Sequence, residues 1–323
     1  MNRYYISVFI LLVIASCTQK PKKDVDVSNI KVEVIVDRFE QQFYTSNKET
    51  LPKVEKKYPY LFPEKNDSIW LSKIKKEQEL YQKSQKIFGD FKDEKAQISN
   101  LFKHIKYYYP DFKSPKIITL ITNLDYESKV IYADSLLFIS LDMYLGTKDK
   151  VYKDFPDYLK QNYTKKQLVV DVAKAIADKY YRPKRERLFL NNCIIQGKKK
   201  YILDAFLPRL SDDRKMGYTK DQLDWTEANE VPIWTYFMEK DLLFSSKASL
   251  YKRFIADAPF SKFYLNIDSE SSGRVGSWIG WRIVRSYMEN NNVTLQQLLE
   301  TKAEEIFKKS KYKPKKNGNK SYL

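Results

Sequence analysis

Ser272-Gly273-Arg274-Val275-Gly276-Ser277-Trp278-Ile279-Gly280-Trp281-Arg282-Ile283-Val284-Arg285-Ser286-Tyr287-Met288 concentrates residues that the rest of the chain uses sparingly. Three of the eight glycines and two of the five tryptophans fall between Gly273 and Trp281. From Val275 the apolar residues recur at helical spacing through Ile279, Ile283, Val284, Tyr287 and Met288, and Asn290-Asn291-Asn292 supplies a stop. Gly276 and Gly280 are four apart and share a face. Two glycines inside a helix cost about 1 kcal/mol each relative to alanine, so that face is expected to meet another backbone or a ligand. Arg282 and Arg285 share a different face and could hold an acid or an anion. Gly273, Gly276, Trp278, Gly280, Trp281, Arg282 and Arg285 are therefore the candidate packing or partner site.

Composition bounds the rest. At 323 residues, with 43% hydrophobic residues and a mean hydropathy of −0.58, the chain is an ordinary folding sequence, long enough for one large domain or two small ones. Its formal charge of +17 is uneven. Lys20, Lys22 and Lys23 follow the N-terminal apolar run, and Lys308, Lys309, Lys311, Lys313, Lys315, Lys316 and Lys320 fill a tail with no acid after Glu305. With Arg3 these account for eleven of the excess positive charges, which leaves the body only modestly basic.

The N-terminus reads as an export signal over residues 1–16. Met1-Asn2-Arg3 is a short positive start, and the apolar run from Tyr4 to Ala15 is too short for a permanent membrane span. Ile14-Ala15-Ser16-Cys17 resembles the bacterial lipobox, which implies acylation of Cys17, with palmitate among the chains, and an anchor on a membrane surface. Residues 17–29 then form a tether. Thr18-Gln19-Lys20 carries no acid, which favours a periplasm-facing anchor in the cell envelope, and export disfavours a nucleic-acid partner. With Cys17 lipidated, Cys193 has no partner in the chain and reads as a small buried hydrophobe.

Along the body, Val32, Val34 and Val36 alternate as in a strand, and Phe39 and Phe43 open a helix. Helical patterns cover Ile69 to Phe88 and Asp93 to Tyr109. The most strand-like segments are Lys116 to Thr122, Lys129 to Ala133 and Ser135 to Leu141, with Asn123-Leu124-Asp125 and Asp134 as turns. Thr164-Lys165-Lys166-Gln167 has capping-box spacing before a helix with Leu168, Val172, Ile176 and Tyr180 inward. Further helices are expected at Lys199 to Phe206, Thr219 to Asn229, Pro232 to Asp241 and Leu295 to Lys308. The fold class is α+β, mostly helical, with a small and largely antiparallel sheet in the first half and a helical C-terminal half. One domain spans residues 30–309, followed by a basic tail over 310–323.

Chemistry is bounded by omission. The single histidine, His104, sits on the polar side of its helix pattern, so a two-histidine zinc site is impossible. Gly276-Ser277-Trp278-Ile279-Gly280 has the wrong glycine spacing for a nucleophile elbow. No phosphate-binding glycine loop or cysteine cluster occurs, and no cofactor or metal is expected. Glu227 and Glu230, beside Trp225 and Trp234, read as a chance pair on a solvated helix.

The runs Gly273 to Met288, Gln196-Gly197-Lys198-Lys199-Lys200-Tyr201 and Asn229-Glu230-Val231-Pro232-Ile233-Trp234 resemble the gliding-motility lipoprotein family GldB of the Bacteroidetes. The resemblance covers the mature chain. It implies an envelope lipoprotein required for gliding that works with other envelope proteins rather than through a reaction. A fainter likeness concerns the order sheet, then helix Lys166 to Tyr181, then Gln196-Gly197, which is similar to gluzincin-like peptidases. There the helix bears H-E-x-x-H and a later Glu-Gly adds the third ligand. Here Asp171, Lys174 and Ala175 lie on the helix and Gln196 precedes the glycine, so the likeness implies a zincin-like scaffold without zinc. Two other function classes stand beside the gliding component: an envelope hydrolase or glycan-binding protein using carboxylates, and a binder of anionic polymer or lipid headgroups through the basic tail.

Overall fold

The computed structural model describes residues 24–266 and 268–314, so Cys17, the signal and the end of the basic tail lie outside the described residues. The first half runs β1 (Val36–Arg38), α1 (Phe39–Tyr44), α2 (Leu51–Lys57), α3 (Asp67–Lys76), α4 (Gln78–Phe88), α5 (Lys92–Tyr108), β2 (Lys116–Leu120), β3 (Val130–Ala133) and β4 (Leu136–Ser140). Then follow α6 (Asp157–Lys160), α7 (Leu168–Tyr180), α8 (Phe189–Phe206), α9 (Asp212–Met216), α10 (Lys220–Ala228), α11 (Glu230–Glu239), α12 (Ser249–Phe254), α13 (Val275–Asn290), α14 (Leu295–Glu300) and α15 (Ala303–Ser310). The class is α+β and mostly helical, with the sheet in the first half.

The sheet is mixed rather than largely antiparallel. Its order is β1-β2-β4-β3, with β1 parallel to β2, β2 parallel to β4, and only β3 antiparallel to β4. The antiparallel pair is the local hairpin, turned by Asp134 at a φ of 49°. Both parallel pairs join strands separated by other elements, which strand propensity does not reveal. The central strands are buried at Ile117, Ile118, Leu137 and Ile139, whereas edge strand β3 leaves Ile131 exposed.

Several boundaries differ for local reasons. The pattern from Ile69 to Phe88 breaks into α3 and α4 at Glu77, a buried acid that accepts the Tyr44 hydroxyl and pairs with Lys73 at 2.8 Å. Thr164 makes no side-chain cap, because Gln167 turns to the carbonyl of Arg214 at 3.3 Å; capping boxes form at Thr219 and Thr294 instead. α8 starts ten residues earlier than expected, since residues 189–195 are buried all round the helix and show no polar face to mark its start.

The expected C-terminal helix splits into α14 and α15. Between them the carbonyls of Leu299 and Thr301 accept the ammonium of buried Lys198 at 3.0 and 2.6 Å, and burial brings that amine down to about 8. His104 is buried rather than on a polar face. Near the two ends of the described chain, Val27 is buried and Tyr312 packs edge-on against Trp234.

Asp171 fastens α7 to the sheet side. Its carboxylate takes Lys129 at 2.9 Å, Lys174 at 3.0 Å and the Tyr144 hydroxyl at 3.2 Å. Burial alone would raise its pKa, but the charges of Lys174 and Lys129 and their hydrogen bonds outweigh it and bring the carboxyl from 3.8 to about 2. A depressed acid contributes stability that is present above the unfolded value and lost as pH falls through the folded one. Asp171→Asn should therefore remove about 2 kcal/mol of the stability lost by the wild type between pH 5 and about pH 2. Urea unfolding across that range checks it, and an unchanged acid limb in the variant would refute the assignment.

Candidate functional site

Helix α13 is entered through Arg274 at a φ of 60°, directly after Gly273, where a Cβ would lie 2.3 Å from the carbonyl oxygen of Ala258. Along the helix the glycine face lies on α8. A Cβ on Gly280 would stand 1.8 Å from the carbonyl oxygen of Cys193, and one on Gly197 would stand 2.2 Å from that of Gly280. Both obstacles are backbone, so neither can swing aside. Gly276 is tight in a milder way, with Phe254 O at 2.9 Å and Cys193 Sγ at 3.2 Å from the added carbon. Cys193 is itself buried, and burial pushes its thiol pKa up, which keeps it protonated.

The other face of α13 carries two repeats of one device. Trp278 and Arg282 are four apart, as are Trp281 and Arg285, so each indole lies beneath its own guanidinium. Arg285 stacks 3.7 Å from the Trp281 ring centre and Arg282 5.7 Å from that of Trp278. The two indoles meet edge-on at 5.7 Å.

Each pair converges on one buried acid. Asp204 of α8 accepts Trp281 Nε1 at 2.9 Å and both Nε and Nη2 of Arg285 at 2.7 Å, a bidentate fork. Lys215, fully buried, donates to the same carboxylate at 2.8 Å, and Asp212 takes a second share of Arg285 at 2.9 Å. Two cations and two acids thus close on themselves. Glu230, at the start of α11, accepts Trp278 Nε1 at 3.2 Å and the Tyr312 hydroxyl at 3.0 Å, while Arg282 Nε lies 3.1 Å away.

Arg285 is therefore no outward anion receptor but a buried cation held by two carboxylates. Glu230 is likewise not solvated; it is 3% exposed. Glu227 is half-buried, and burial followed by the nearby Asp212 charge raises its pKa. Sequence reasoning missed Asp204, Asp212, Lys215, Gly197 and Tyr312 as members of this grouping. A lone glycine inside an apolar helical run was the available signal for Gly197. The Gln196-Gly197 step, compared above with a peptidase ligand motif, has a packing duty. Among the described residues no three His, Cys, Asp or Glu side chains are grouped to hold a metal ion.

Fold and site define a class: a mostly helical α+β body closed around one glycine-packed helix pair and its internal salt-bridge network. No curated protein and no solved structure matches the chain. The family model described as gliding motility protein GldB matches residues 20–314, and the chain belongs to that family. It is accordingly a gliding-motility lipoprotein, and among the described residues no helix is long and apolar enough to cross a membrane.

Gly280→Leu should exceed the about 1–3 kcal/mol typical of overpacking, because backbone blocks the side chain. Arg285→Ala should cost about 3 kcal/mol, because Asp204 loses its bidentate partner while keeping Lys215 and Trp281, and clearly more than Arg282→Ala at the partly exposed end. This reverses the order that a surface arginine would give. Chemical denaturation of the three variants at pH 7 measures it, and an Arg285→Ala as mild as Arg282→Ala would overturn the buried network.

Proposed function

We propose that the chain is a lipid-anchored component of the gliding machinery that acts by protein interaction rather than catalysis, held through Cys17 with its body on the periplasmic side of the envelope. The family match over residues 20–314 carries the reading. The buried charges add support. Groups that could be mistaken for catalytic acids and bases are already in ion pairs: Asp204 with Lys215 inside the protein, and buried Asp171 with the partly exposed Lys129. A general base must reach a substrate proton, and these carboxylates are already committed to internal donors.

A single lysine- and proline-bearing segment joins Cys17 to the body, so the anchor can be removed without touching the fold. Cys17→Ser should accumulate as a folded protein that takes up no fatty-acid probe, and cells carrying it should lose spreading. Metabolic labelling with an alkyne fatty acid, read beside a colony-spreading assay, decides both points. A labelled Cys17→Ser protein would sink the anchor, and full spreading by an unlabelled one would sink its role in motility.

A further inference from the structure

Seven residues carry the chain from Cys17 to Asp24, where the described residues begin, and a fully extended chain of that length covers about 25 Å. A folded chain of this size has a radius of gyration of about 19 Å and is about 50 Å across. The leash is therefore shorter than the body is wide. An anchor on Cys17 cannot reach past the face from which Asp24 emerges.

That face is fixed by contacts. One oxygen of Asp24 accepts Arg209 Nε at 2.7 Å, and the other lies 3.8 Å from Nε2 of His104. The imidazole is buried; its Nδ1 meets the carbonyl of Asn100 at 2.8 Å, and its Nε2 has no hydrogen-bond partner. Lys106 then donates to the carbonyl of Lys31 at 3.3 Å, which lays the following chain along α5. His104 lies one turn before the end of α5, so its contact with Asp24 places the exit beside the last turns of that helix.

This last turn is aromatic. Tyr107 is 47% exposed and meets Tyr108 edge-on at 5.1 Å. Next to it opens a cleft of about 600 Å³ lined by Tyr108, Tyr109, Phe112, Tyr132 and Tyr180. Lysines at positions 20, 22 and 23 of the leash, with Lys106 and Lys113 on the face, have the sign that anionic headgroups attract. Of the carboxylates lining the cleft, Asp134 is paired with Lys179 and Asp111 is exposed.

We infer that the face around Tyr107, Tyr108 and Lys113, with the adjoining tyrosine cleft, lies against the phospholipid bilayer when the chain is anchored at Cys17. Tyrosine rings, apolar with a polar tip, suit the headgroup layer. The opposite end of α8 then points away from the membrane. Phe206 at one end of that helix meets Tyr108 and Tyr109, whereas Phe189 at the other meets Phe254, which in turn meets Phe263 beside Tyr264. The two ends are about 27 Å apart.

The inference rests on the anchor proposed at Cys17, and the test supplies that anchor chemically. The chain from Cys17 onward is coupled through this thiol to a maleimide phospholipid in phosphatidylethanolamine–phosphatidylglycerol vesicles; buried Cys193 does not compete. Amide hydrogen exchange over residues 103–113 should slow about tenfold against the uncoupled protein, with residues 261–266 unchanged. Tyr107→Asp, at an exposed side chain, should reduce that protection while leaving the melting temperature in place. Protection over 261–266, or at neither segment, overturns the orientation whatever the cell does to Cys17. Equal protection over 103–113 by a soluble envelope oligosaccharide without vesicles would reassign the cleft to glycan.

Discussion

Gly280 resting on the carbonyl of Cys193, with Gly197 resting on Gly280 in return, sets the separation of α8 and α13 at backbone contact. The polar network depends on that distance. Asp204 projects from α8 and Trp281 and Arg285 from α13, so bonds of 2.7 to 2.9 Å between them require the helices to stay this close. A single methyl group on either glycine would lift one helix off the other and stretch every one of these bonds together. Small residues here serve large ones: the missing side chains at Gly197 and Gly280 make room for two buried indoles and a buried guanidinium.

The same network decides what the body offers to its surroundings. Buried cations such as Arg285 and Lys215 are neutralised by Asp204 and Asp212, and Lys198 is held by backbone carbonyls. Much of the formal excess of +17 then belongs to the two ends of the chain. Long-range attraction to anionic surfaces is concentrated at those ends, while the body contributes shape and aromatic surface.

How much of this was legible in the sequence varies with the range of the interaction. Spacing within one helix shows directly, so Gly276 and Gly280 report that some backbone comes near, and α5, α10 and α13 lie close to where their patterns put them. What comes near does not show, because Cys193 and Gly197 lie more than eighty residues away. The parallel strand pairs were hidden for the same reason, since each is joined across other elements. Arg285 was legible in part. Its place on α13 says that it could hold an acid but not which one, and Asp204 and Asp212 carry no local mark of that role. Similarly, the split of α14 from α15 follows from Lys198, a hundred residues upstream.

The fastening of Tyr312 to Glu230 has a consequence for the order of events during synthesis. α13 supplies the partner for α8, and the segment after α15 closes over Glu230, so the parts that complete the centre are among the last to be made. A nascent chain that stops short of α13 holds α8 with one long side uncovered and Asp204 without its arginine. Such a chain has little reason to lock early, because contacts this far apart in sequence form late and cost loop-closure entropy first. Closure over such distances makes the final packing a property of the nearly complete chain rather than of its first part.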